Sequence, residues 1–244
     1  PNSSNVEQIR YTNTAKGIMN CRVEIQDYPI IHDNTYYFSY TIANRIKLLS
    51  IFEDYENKNL EVLFGLDDYF EFEQKNVKLV DYSILETYDA VILNEIHELS
   101  SVLINQLLNY VKKGGRLVVI PSSNIAYDSY NLFLSALNTN LISGKDTSEI
   151  LIDEINFLSD VYSAAFENTR DEHILPRTNH YYKNSSFSRN KSITLLKSKN
   201  NFPLLNVTNY FLGDIYMFYF PHSKNLKTFN IHPVYIPTFY SIAL

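Results

Sequence analysis

Between Tyr88 and Asn124 the chain reads YDAVILNEIHELSSVLINQLLNYVKKGGRLVVIPSSN, a strand, a helix and a second strand with every boundary marked. Ala90 to Leu93 is a continuous apolar run without polar alternation, the pattern of a strand covered on both faces, which a parallel sheet requires. Asn94 and Glu95 are expected to end it. Ser100 or Ser101 is placed to cap the next helix, whose apolar residues Leu103, Ile104, Leu107, Leu108 and Val111 fall on one stripe at 3.6-residue spacing. Lys112 and Lys113 suit the negative end of the helix dipole, and Gly114-Gly115 supplies a left-handed stop. Leu117 to Ile120 is then a second buried strand. Two parallel strands bridged by one helix form a right-handed unit, and in such sheets chemistry collects beyond the carboxyl ends of the strands. Those ends hold Asn94, Glu95, Ser122, Ser123 and Asn124, and the sheet edge Asn94, Glu95, Ser123 and Asn124 is the candidate ligand-binding surface.

The surrounding chain is read from this unit outwards. Ile46 to Phe52 is another continuous apolar run and begins the parallel sheet. A helix follows at Leu60, Leu63 and Phe64, and alternation at Phe70–Glu73 and Val77–Leu79 predicts one edge strand or two short ones. Tyr130, Phe133, Leu134 and Leu137 form a helical stripe. Ile150–Ile155 fits strand or helix and Phe157–Phe166 fits a helix. Ser192–Leu196, Phe202–Val207 and Ile215–Phe220 are strands that make a mixed or antiparallel end to the sheet. The apolar tail from Phe239 begins a closing helix, expected to lead towards a membrane segment. Residues 168–190, rich in Asn, Ser, Arg and His, form an irregular excursion. Residues 1–42 differ: Cys21–Gln26 alternates and Tyr36–Ile42 is aromatic and β-branched, which predicts antiparallel strands from a sandwich-like domain or an extension of the main sheet. The division is a β segment at 1–42 and an α/β domain at 43–244.

With 45% hydrophobic residues in 244, the chain can bury a core without staples. A net charge of −6 gives no basic field, so nucleic acid is not an expected partner. The single cysteine, Cys21, has no internal disulfide partner, and no run approaches the roughly 20 apolar residues of a membrane span. The chain opens on Pro1, which reads as a piece of a longer protein. Phosphate-loop, dinucleotide, zincin and zinc-ribbon motifs are absent, and the six histidines show no ligand spacing, so neither cofactor nor metal is expected. Glu95, His97 and Glu98 cluster at a strand end, either as an acid/base group or as a solvated helix entry. Ser122 stands at a strand-to-helix turn without the glycines of a strained nucleophile elbow.

The order strand, helix, YDAVIL, helix, YVKKGGRLVVIP, helix and a late GDIYMFYFPH resembles the class I glutamine amidotransferase-like fold over residues 43 to 244. More narrowly, IQDYPIIHDNTYYFSY leading into IKLLSIF, together with YVKKGGRLVVIPSSN and FNIHPVYIPTFYSIAL, resembles the periplasmic part of Bacteroidetes aerotolerance (BatA-like) membrane proteins. The resemblance implies a mostly parallel flavodoxin-like sheet with helices on both faces, plus a short N-terminal antiparallel β segment. It also implies a periplasmic or extracytoplasmic location, membrane attachment through segments outside this chain, and an unknown protein partner. Class I amidotransferases carry a Cys elbow after the strand corresponding to Leu117–Ile120 and a His-Pro-Glu after a late strand. Here Ser122 stands for the cysteine, only His222 echoes the histidine, and no Glu lies two residues beyond. The expectation is a degenerate, non-catalytic domain, with no catalytic residue beyond the candidates Ser122, His222 and Glu95. The alternative is a hydrolase or sugar-directed enzyme using Ser122 and His222.

Overall fold

In a computed structural model the described residues are 11, 17–25, 34–42, 45–163, 176–178, 180–185, 192–222 and 229–244. The chain divides into two compact units, Pro1–Arg45 and Ile46–Leu244. In the first, β1 (Gly17–Glu24) and β2 (Thr35–Ile42) pair antiparallel, Gly17 opposite Ile42 and Glu24 opposite Thr35. Met19, Cys21 and Val23 oppose Tyr40, Phe38 and Tyr36 on one face, and the rings of Tyr36, Phe38 and Tyr40 stack along it.

The second unit starts with β3 (Ile46–Phe52), α1 (Lys58–Gly65), β4 (Phe70–Asn76), β5 (Ala90–Ile96), α2 (Ser101–Lys112), β6 (Arg116–Pro121) and α3 (Tyr127–Ala136). There follow β7 (Ile142–Asp146), β8 (Ile150–Ile155), α4 (Asp160–Ser163), β9 (Arg177–Thr178), β10 (Tyr181–Asn184), β11 (Ile193–Ser198), β12 (Pro203–Tyr210), β13 (Gly213–Phe218) and α5 (Tyr235–Ala243). Nine strands form one sheet in the order β4-β3-β5-β6-β13-β12-β11-β8-β9, and β7 pairs with β10 separately.

The three apolar runs lie side by side and parallel, Leu49 beside Val91 and Val91 beside Leu117. Residues alternate between two cores. Leu48, Ile92 and Val118 face α1 and α5, packing with Leu60, Phe64, Phe239 and Ile242; Leu49, Val91 and Leu117 face α2 and α3, packing with Leu103, Leu107, Phe133 and Leu134. Ser100 caps α2 by accepting a hydrogen bond from the Leu103 amide at 3.2 Å. Tyr110, absent from the expected stripe, is buried in it, and its hydroxyl donates to the Tyr88 carbonyl at 3.1 Å.

The sheet is mixed, which corrects the mostly parallel expectation. From β4 to β13 every neighbour is parallel, whereas β13 through β9 are antiparallel. The cause is connection length. Tyr210 opposes Gly213, so only Phe211 and Leu212 link β12 to β13, and so short a link joins antiparallel neighbours only. Smaller differences have local causes. Val77–Leu79 is a turn, because Asn76 uses its side chain to accept from Lys78 and to donate to the Glu53 carbonyl. The helix expected over 157–166 is confined, among the described residues, to Asp160–Ser163, and the closing helix starts at Tyr235, with Pro237 tolerated in its first turn. Most of the 168–190 excursion lies outside the described residues; its described parts are not irregular but form β9, paired with β8, and β10, paired with β7. No helix among those described is long and apolar enough to cross a membrane.

The start of β13 is packed against the end of α2 so closely that a Cβ on Gly213 would collide with the carbonyl oxygens of Gly115 and Val111. Gly144, by contrast, faces open space. Gly213→Ala is therefore expected to lower unfolding stability by about 1–3 kcal/mol or more. Gly144→Ala should stay within ~0.5 kcal/mol of the parent in the same urea titration.

Candidate functional site

The carboxyl ends of β3, β5 and β6 meet the continuation of β13 at one edge of the sheet. Here β5 does not stop at Asn94 as the sequence suggests. The register passes from Asn94 opposite Ile120 to Ile96 opposite Pro121, leaving Glu95 as the extra residue of a bulge with φ 54°. A left-handed backbone at a residue with a Cβ costs roughly 1–2 kcal/mol, and bulges of this kind re-aim a side chain. Glu95 is turned inwards. Its Oε2 accepts from the Tyr55 hydroxyl across 3.5 Å, while Oε1 is sealed from solvent with no hydrogen-bond partner. The His222 amide lies near enough to favour the charged carboxylate, though not in hydrogen-bond geometry with Oε1. Burial outweighs both neighbours and pushes the Glu95 carboxyl up to about 7.

The rest of the predicted edge is committed to structure. Asn94 Oδ1 accepts from Asn57 Nδ2 at 2.9 Å, and Asn57 Oδ1 in turn caps α1 by accepting from the Asn59 and Leu60 amides. The Ser123 carbonyl accepts from Lys145 Nζ at 2.8 Å, and the Asn124 carbonyl accepts from His97 Nδ1. The His97 amide donates to Glu53 Oε2 at 2.6 Å, and Glu98 is exposed. Glu95, His97 and Glu98 therefore do not converge, and no group of three or more His, Cys, Asp or Glu able to hold a metal occurs among the described residues.

Ser122 and His222 are not paired. Ser122 Oγ accepts from the Asn124 amide at 3.3 Å, and the Ser122 carbonyl accepts from the Tyr182 hydroxyl at 2.7 Å. Ser122 is also absent from the positive-φ residues, so the strained position on this edge is Glu95. The His222 imidazole is enclosed by the rings of Phe218, Phe220, Phe229, Phe239 and Tyr235, with centroids between 4.6 and 6.1 Å. Neither ring nitrogen has a hydrogen-bond partner, and burial pushes the imidazole down to about 3. An uncharged, walled-in ring of this kind supplies no base to Ser122.

Sequence reading missed Tyr55, Asn57 and Tyr182. Tyr55 and Asn57 sit in a polar loop with no periodicity, and Tyr182 arrives from the excursion. A cavity of about 450 Å³ lies at the opposite, amino-terminal edge and shares no residue with this cluster. Volume alone does not mark chemistry, and the perturbed carboxyl on a strained bulge identifies the better candidate here.

The sign of the Glu95 effect follows from its folded value of about 7 against an ordinary 4.5. Between those values the unfolded chain loses its proton first, so stability falls as pH rises from 4.5 to 7. Glu95→Gln removes this penalty. Relative to the parent, the variant should be more stable by up to about 3 kcal/mol at pH 8 and nearly equal at pH 4, measured by urea unfolding at both pH values.

No family model and no curated protein matches the chain. Solved structures do match in shape. The cytoplasmic protein STM1381 from Salmonella typhimurium superposes with TM-score 0.60 at 16% identity, covering 81% of this chain and 98% of that one. A ThuA-like protein from Bacteroides uniformis gives 0.58 at 13%, covering 88% and 95%. A GMP synthase-type protein from Thermoplasma acidophilum gives 0.54 at 8%, covering 83% and 94%. At these identities the likeness is one of fold, and the fold is the α/β type shared by ThuA-like and amidotransferase-type proteins.

Proposed function

We propose that this chain is a non-catalytic interaction module of amidotransferase-like fold, belonging to a membrane-anchored protein of the BatA-like group and displayed on its periplasmic or extracytoplasmic side. Its contact surface towards a protein partner takes in the exposed Ser123 and Asn124 of the sheet edge, whereas Asn94 is buried and Glu95 is turned inwards behind them. The observation that carries the reading is the broken pair: the Ser122 hydroxyl is spent on its own turn, and the His222 ring is enclosed by aromatic side chains. Acyl transfer by serine needs the base within hydrogen-bond reach of the hydroxyl and an orienting group on the base. Both are missing among the described residues. The location and the membrane attachment are supported by the sequence resemblance alone.

One observation favours the hydrolase alternative in modified form. A carboxyl held near neutrality on a strained bulge is what acid/base chemistry asks for, and Glu95 has both properties. Purified protein incubated with glutamine and with generic ester substrates separates the readings. No ammonia or alcohol release above buffer is expected from the parent, Ser122→Ala or Glu95→Gln. Turnover lost in Ser122→Ala would establish a serine hydrolase, and turnover lost only in Glu95→Gln would establish an acid/base enzyme.

A further inference from the structure

The amino-terminal edge of the sheet holds a second site, independent of the Glu95 edge. The cavity of about 450 Å³ is built where β3, β5 and β6 begin and α5 ends, a volume within the range of small-molecule sites. One cation on its wall lacks a counter-charge. Arg116 is half-buried, and Nη1 donates to the Ala243 carbonyl at 3.1 Å; no carboxylate among the described residues lies within ion-pair distance. A guanidinium carries five donors in a fork that matches a carboxylate, so most of its capacity points to a group from outside.

The same wall carries one anion without a counter-charge. Asp89 Oδ2 accepts from the Lys47 amide at 2.8 Å, and Asp89 forms no ion pair. Asp89 and Arg116 start from paired backbones, because the Arg116 amide donates to the Asp89 carbonyl, yet their charged ends do not meet. Lys113 and Glu86, also at this cavity, neutralise each other. Among the charged side chains of the lining, what is left is one positive, Arg116, and one negative, Asp89, on neighbouring strands, with apolar wall from Ile46.

We propose that this cavity binds a small zwitterion of the amino-acid type with an apolar side chain. Its carboxylate lies on the Arg116 fork, its ammonium group on Asp89 and its side chain against the apolar wall. A purely anionic ligand would meet the Asp89 carboxylate, and a purely cationic one would meet Arg116. The balanced lining selects against both.

The test uses the whole chain, with isothermal titration calorimetry and thermal unfolding in L-leucine, in leucinamide, which lacks the carboxylate, and in 4-methylpentanoate, which lacks the ammonium group. L-leucine is expected to bind and raise the unfolding temperature, and each analogue to bind at least tenfold more weakly. Asp89→Asn and Arg116→Gln should each weaken L-leucine at least tenfold. Arg116→Lys keeps the charge and a donor for the Ala243 carbonyl, so it should unfold with the parent and still bind more weakly, which separates lost recognition from lost folding. Gly144→Ala, which faces open space away from this cavity, should change nothing. Absence of binding by all three compounds, 4-methylpentanoate binding as tightly as L-leucine, or binding indifferent to both Asp89→Asn and Arg116→Lys would each overturn the proposal.

Discussion

Burial of β3, β5 and β6 on both faces is the constraint from which the rest of the α/β unit follows. Leu48 and Leu49 are both fully buried, as are Val91, Leu93, Leu117 and Val119, so neither face of this sheet is left to water. Parallel strands with two apolar faces need helical cover on each side, and α1 with α5 and α2 with α3 provide it. Polar groups are thereby driven to the two edges of the sheet. One edge gathers Glu95, Tyr55 and Asn57; the other gathers Asp89, Arg116 and Lys113.

At the carboxyl edge the Ser122 hydroxyl and the His222 ring have separate surroundings. A serine at the turn after β6 is not sufficient, because the turn lacks left-handed strain and its hydroxyl caps its own backbone. The histidine after β13 has joined the core. An imidazole with two unpartnered nitrogens amid five rings is costlier than a phenyl ring of similar size, since each buried orphan polar atom costs roughly 1–3 kcal/mol. Strain and desolvation are concentrated instead at Glu95, one strand away.

Much of this architecture could be read from the chain. The Ala90–Leu93 and Leu117–Ile120 runs, the Leu103-to-Val111 stripe, the Ser100 cap and the Gly114 stop each state a local preference that agrees with the tertiary fold, and they define the parallel half of the sheet. The antiparallel half was seen as strands, but its extent was not, because pairing depends on the Phe211–Leu212 link and on β8 and β9 joining the edge. Asn94 and Glu95 are expected from the sequence to end the strand, whereas β5 runs through them to Ile96. The bulge at Glu95 was not legible, since a glutamate in left-handed conformation carries no sequence signal comparable to glycine or asparagine. The Asn57–Asn94 bond and the approach of Tyr182 to Ser122 join residues 37 and 60 positions apart, which no local pattern encodes.

The central claim is that His222 belongs to the core and not to a catalytic pair, and the protonation of its ring tests this most directly. A nitrogen-15 NMR titration of the imidazole, with His222→Phe identifying the resonance, reads charge and hydrogen bonding together. The account predicts a neutral ring with no charge change between pH 8 and 5, its titration displaced towards about 3. A ring that titrates near 6.5, with its midpoint altered by Ser122→Ala, would contradict the account and restore the Ser122–His222 pair.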